Sequence, residues 1–158
     1  DGPRDHVRAA VRGAGGALDI VRVAMKPGKP LALGRLGRAA FVGLPGNPQA
    51  AAFAALAFVR PMIRVLLGAP IAGRLTARLG FDHRVRPGRT ELVPVRLACE
   101  DPVLVAHPAG PEGSHRLMPL ASADAVAILP GSAEPHVVGE PVEILPFVWE
   151  SDRYAHHR

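Results

Sequence analysis

The chain has 158 residues, 48% of them hydrophobic and 21% charged, and a formal net charge of +5. This suits a folded chain with one sizeable core or two small ones and excludes the disordered class; no apolar run reaches the roughly 18 residues of a membrane span without a charge, and no signal-peptide pattern opens the chain. A single cysteine, Cys99, excludes an internal disulfide framework and a multi-cysteine zinc site, and the 17 scattered arginines with few aromatics argue against a nucleic-acid partner.

The expectation from these features is a soluble cytoplasmic protein whose positive field draws in small anions. The chain lacks an initiator methionine and opens in a polar Gly-Pro stretch, as expected of a piece of a longer chain. Residues 3–12 carry Val7, Ala10 and Val11 at helical spacing, and the Gly13 to Gly16 stretch ends the pattern. Three strands are expected next, at residues 18–24, at 31–36 and, buried, at 39–42. The clearest helix follows: Asn47 suits the N-cap and Pro48 the first helical position. Residues 49–59 are dominated by alanine, leucine and phenylalanine. Pro61 should kink or restart this helix and Gly68 should close it.

Beyond Gly68 the texture changes to short strands punctuated by proline and glycine, which suggests a small barrel or sandwich. Strands are expected at residues 74–79, 90–98, 103–107, 125–129 and 142–145. The expected organisation is a first domain over residues 1–68, a second over 69–150 and a tail over 151–158.

Four turns could carry chemistry. The only two lysines, Lys26 and Lys29, lie in Met25-Lys26-Pro27-Gly28-Lys29-Pro30, where two prolines and a glycine make a stiff loop after a strand. Lysine is a compact point charge in a chain that otherwise uses arginine, so this loop is either a preformed anion site or a solvated surface turn. Gly43-Leu44-Pro45-Gly46-Asn47-Pro48 joins a strand to a helix N-terminus, where unpaired amides and the helix dipole favour an anion; a structural turn is the alternative. Arg86-Pro87-Gly88-Arg89 presents a cation on a turn that a hairpin would explain equally. Gly113-Ser114 could offer a hydroxyl and an amide to an oxyanion, or be a surface loop. His115 has no evident partner for acid–base work, and Asp5 suits the start of the first helix as well as it suits a metal.

Together these residues resemble the molybdopterin molybdenumtransferase family, bacterial molybdenum-cofactor enzymes whose relatives include the E domain of gephyrin. The resemblance rests on the Met25 to Pro30 and Gly43 to Pro48 motifs, on Arg60-Pro61, on the Gly113-Ser114 loop and on Gly139-Glu140-Pro141-Val142, and it runs from Asp1 to about Phe147. It implies the later half of a molybdopterin-binding α/β domain followed by a small C-terminal β-barrel domain. It also implies a reaction in which molybdate and adenylylated molybdopterin yield molybdenum cofactor and AMP with the help of a divalent cation such as Mg2+. By position, Lys26, Lys29, Arg89 and Ser114 would be the catalytic set, Pro30, Pro45, Gly46, Asn47 and Pro48 would shape the substrate pocket, and Asp5 would be the metal ligand. The resemblance further implies a homodimer, with molybdopterin adenylyltransferase as a candidate partner.

Two departures matter. Ala50 stands where the family often has serine, and the family's N-terminal domains and the first half of its α/β domain are absent from this sequence. The chain alone is therefore expected not to complete the reaction, and its exposed sheet edges and apolar helix faces would be left uncovered. The competing expectation is a non-catalytic anion-binding or scaffold module of the gephyrin E-domain type.

Overall fold

The computed structural model describes residues 6–28, 30–70, 75–100, 102–110 and 117–147. The chain divides into two units, Asp1–Ile71 and Ala72–Arg158.

In the first unit, helix α1 (Val7–Gly13) buries only Val11 and carries Arg12 in its last turn, where a cation complements the helix dipole. Strands β1 (Ala17–Arg22), β3 (Pro30–Leu36) and β4 (Ala39–Gly43) form an antiparallel sheet in the order β1-β3-β4. Strand β2, Met25–Lys26, is a two-residue element that no alternation pattern could have marked. The expectation of a buried strand at 39–42 is corrected: Ala39 and Ala40 are exposed, and Phe41 and Val42 are only half-buried. As an edge strand, β4 has a neighbour on one side only, so its apolar composition does not bury it.

One continuous helix spans Pro48–Leu66. It consists of α2 (Pro48–Ala54), a five-residue π-turn (Ala55–Val59) and α3 (Arg60–Leu66). Pro61 thus neither ends nor restarts the helix. A proline inside a helix has no N–H for the carbonyl four residues earlier and its ring crowds that carbonyl; the widened turn just before it supplies the extra room. The helix buries Gln49, Ala50, Phe53 and Ala54 at its start, whereas Ile63, Val65, Leu66 and Leu67 at its far end are exposed. Its length and hydropathy would suffice to cross a bilayer, but that burial marks its first two turns as part of a protein core, and Arg60 and Arg64 charge the remainder.

The second unit is a closed five-stranded barrel. Strands β5 (Leu75–Leu79), β6 (Thr90–Glu100), β7 (Val103–Pro108), β8 (Ala125–Leu129) and β9 (Pro141–Pro146) pair around a ring, β6-β7-β5-β9-β8, and β8 returns to β6. Only the β5–β7 pairing is parallel. Alternate residues point inward: Ala77 and Leu79 from β5 and Val142 and Ile144 from β9 fill the core beside Val95 and Leu129. A short helix, α4 (Leu117–Ala121), precedes β8 and was not expected from the sequence.

Candidate functional site

In the first unit the Lys26 turn and the start of α2 meet. Asn47 has extended backbone angles, and its Oδ1 accepts the Ala50 N–H at 3.1 Å, with Pro48 at the first helical position. This is the cap the sequence predicted. Gly28 has φ +115, and a Cβ placed on it would lie 2.9 Å from Met25 Cε and 3.7 Å from both Cβ and O of Ala50. Glycine is favoured here by a backbone conformation that other residues resist, and its position brings the loop into van der Waals contact with the helix. The lysine loop therefore rests on the first turn of α2, directly over Ala50, which is 2% exposed. The hydroxyl that a serine would add at position 50 is missing where the two anion-suited motifs touch. Beside it, the buried Gln49 Oε1 has no hydrogen-bond partner among the described residues, an orphan acceptor that a bound molecule or water could satisfy. Lys26 is exposed; Lys29 lies outside the described residues, and the side chain of Pro30 is not described.

In the second unit Arg89 sits on the turn before β6, half-exposed, and donates from Nη2 to Glu91 Oε1 at 2.8 Å. Glu91 is itself buried, and its Oε2 lies 3.1 Å from His83 Nε2. The backbone of the turn is pressed onto Gly131, where a Cβ would come within 2.5 Å of Arg89 O and 2.8 Å of Arg86 O. The sequence marked Arg89 but missed Glu91 and His83. Arg89 and Glu91 are two apart, the spacing that puts side chains on one face of a strand, and that was the available signal. Ser114, His115 and Asp5 lie outside the described residues.

Comparison with known proteins shows the family. A family model described as a probable molybdopterin binding domain matches residues 2–65, and one described as the MoeA C-terminal region, domain IV, matches residues 76–147. The chain belongs to the MoeA family. It is 33% identical over 128 residues to molybdopterin molybdenumtransferase 2 of Mycobacterium tuberculosis, covering 77% of this chain and 30% of that protein. It is 29% identical over 164 residues to the molybdopterin molybdenumtransferase of Haemophilus influenzae, covering 92% and 37%. Among solved structures it resembles the molybdopterin biosynthesis MoeA protein from Pyrococcus horikosii, with a TM-score of 0.69 and 28% identity over 89% of this chain and 34% of that one. The chain spans about a third of the length of the curated MoeA relatives it matches.

Among the described residues, no group of three or more His, Cys, Asp or Glu side chains could hold a metal ion. Mg2+ needs only one or two carboxylates when substrate phosphates supply the remaining oxygens; Asp5, the ligand that the sequence resemblance implies, lies outside the described residues.

Proposed function

We propose that this chain is part of a molybdopterin molybdenumtransferase, which inserts molybdate into adenylylated molybdopterin and releases AMP. The observation that carries the reading is the packing of the Met25 to Gly28 turn on the first turn of α2, inside the segment matched by the molybdopterin-binding family model. Two loops suited to anions lie in contact through a glycine whose φ of +115 other residues rarely adopt. Molybdate is a dianion and the pyrophosphate linkage of the second substrate is anionic. Ammonium and guanidinium groups, a hydroxyl and helix amides are the donors that hold such groups and stabilise the charge that grows as the phosphoanhydride breaks. In this reading Lys26 and Lys29 bind the molybdate and phosphate oxygens, and Arg89 and Ser114 are anion ligands of the same reaction. Pro30, Pro45, Gly46, Asn47 and Pro48 shape the pocket wall.

Catalysis by such a set acts through positioning and electrostatics. The divalent cation, held by Asp5 and the substrate's phosphates, would neutralise part of the same charge. The working enzyme is proposed to be a cytoplasmic homodimer that receives adenylylated molybdopterin from an adenylyltransferase, and the 158-residue chain alone is proposed not to turn over. Calorimetric titration with molybdate tests the binding half of the reading. Binding that weakens at least tenfold in Lys29→Ala supports it, and no binding, or binding indifferent to Lys29→Ala, overturns it. AMP release from adenylylated molybdopterin by the chain alone would refute the claim that it is incomplete.

A further inference from the structure

We propose that Glu91 and His83 are positioning residues that hold Arg89 in the orientation in which it binds an anion. The inference rests on the reading of Arg89 as an oxyanion ligand, and it goes beyond that reading by assigning roles to two residues that make no contact with substrate.

The chain of support is built from the barrel outward. His83 lies in the irregular segment after β5 and is fixed at its backbone by reciprocal bonds with His136, His83 N–H to His136 O at 3.0 Å and His136 N–H to His83 O at 2.9 Å. Its ring is buried, edge-on to Phe81 with centroids 6.0 Å apart, and its Nε2 lies against Glu91 Oε2. That bond fixes the carboxylate's plane and leaves Oε1 for Arg89 Nη2.

A buried carboxylate is costly unless its lone pairs are met. Here both oxygens are engaged, one by a buried imidazole and one by a cation whose other side reaches solvent. The guanidinium offers five N–H donors in a rigid fork. One prong is tied to Glu91, and Nε is buried without a partner among the described residues. The donors on the solvent side are left in a fixed plane. An arginine on an open turn would otherwise lose considerable rotamer freedom on gripping an anion, and a tether that removes this freedom beforehand tightens binding. Gly131 beneath the turn fixes the backbone from which Arg89 projects.

The sign of the effect separates positioning from plain electrostatics. Glu91 brings negative charge close to an anion-binding cation, so deleting it would tighten molybdate binding if charge alone mattered. Positioning predicts the reverse.

The experiment is calorimetric titration of the chain with molybdate, each variant checked for its fold by circular dichroism. E91A and H83A are expected to bind about tenfold more weakly than wild type. H83Q places an amide donor where Nε2 stands and should recover most of the loss, and E91Q keeps an acceptor for Arg89 and should stay near wild type. Folded E91A and H83A that bind as well as wild type, or better, overturn the proposal. If E91A fails to fold, H83A against H83Q decides. The Arg89 side-chain resonances of the wild type provide a check that needs no variant: slow rotation with resolved Nη signals is expected, and fully averaged signals overturn the tether. Should R89A leave binding intact while Lys29→Ala abolishes it, this inference fails and the lysine site stands; wild type that binds no molybdate removes both.

Discussion

His136 shows how a single residue in the second unit makes stability depend on pH. Its Nε2 lies 2.9 Å from the Pro130 carbonyl and its Nδ1 lies 2.9 Å from Glu140 Oε1. A neutral imidazole can donate from one nitrogen only, so two facing acceptors favour the doubly protonated ring. Burial works to lower the His136 pKa, but the Pro130 and Glu140 bonds outweigh it and raise it. Glu140 is shifted down, first by the His136 bond and then by the Val137 N–H. A raised histidine contributes stability that is present at low pH and lost as pH rises through its folded value. A lowered carboxylate contributes stability that is lost as pH falls through its own. Both contributions coexist only between the two. Glu140→Gln is therefore expected to lower the melting temperature by about 1–3 °C near pH 5.5 and by much less near pH 9, as thermal melts at the two pH values would show. An equal loss at both would contradict the ion pair. At this scale the sequence revealed the residues whose chemistry is local. The turn at Gly28 and the cap at Asn47 could be read from their neighbours, whereas the bond between Glu91 and His83 could not. His83 stands eight residues from the carboxylate it meets, in a segment without periodicity, and only folding brings the two together.

Among the elements, the helix Pro48–Leu66 was the most legible at its start and the least legible in its middle. The cap, the proline at the first position and the buried Phe53 follow from rules that act within one turn. Asn47→Ala should cost about 1 kcal/mol of unfolding free energy, and Asn47→Asp should keep most of it. Urea titration reads this directly, and a midpoint that does not move in Asn47→Ala would mean the cap bond adds nothing. The π-turn was not legible, because a proline inside a helix can be met by a break, a kink or a widened turn. Which of these occurs depends on how the residues after it pack. Strand β4 misled for a related reason: its alanines and Phe41 read as interior, but burial needs a covering element as well as an apolar side chain. The barrel strands were legible from the proline and glycine turns that punctuate them, and the closure of the ring was not, since no local pattern says that β8 must return to β6.

For the whole molecule, the positive charge of +5 should assist anion capture at long range. Molybdate binding is expected to weaken several-fold between about 0.01 and 0.15 M salt, as the screening length falls from about 30 to 8 Å. Affinity that does not vary with salt in calorimetry would confine the attraction to direct contacts. The change of texture at Gly68 is a change in the period of the apolar residues, which differs between helix-rich and strand-rich segments. The exposed Ile63, Val65, Leu66 and Leu67 were foreseen only in kind, as apolar helix surface left uncovered.

Strand β6 also sets an order in time. Residues 95–100 pair with β7, which begins three residues after Glu100, and residues 91–95 pair with β8 some thirty positions further on, with Val95 belonging to both ladders. A short loop closes at little entropic cost and a long one at more. The β6–β7 hairpin is therefore expected to form early and the ring to be sealed late, when β8 reaches the other half of β6.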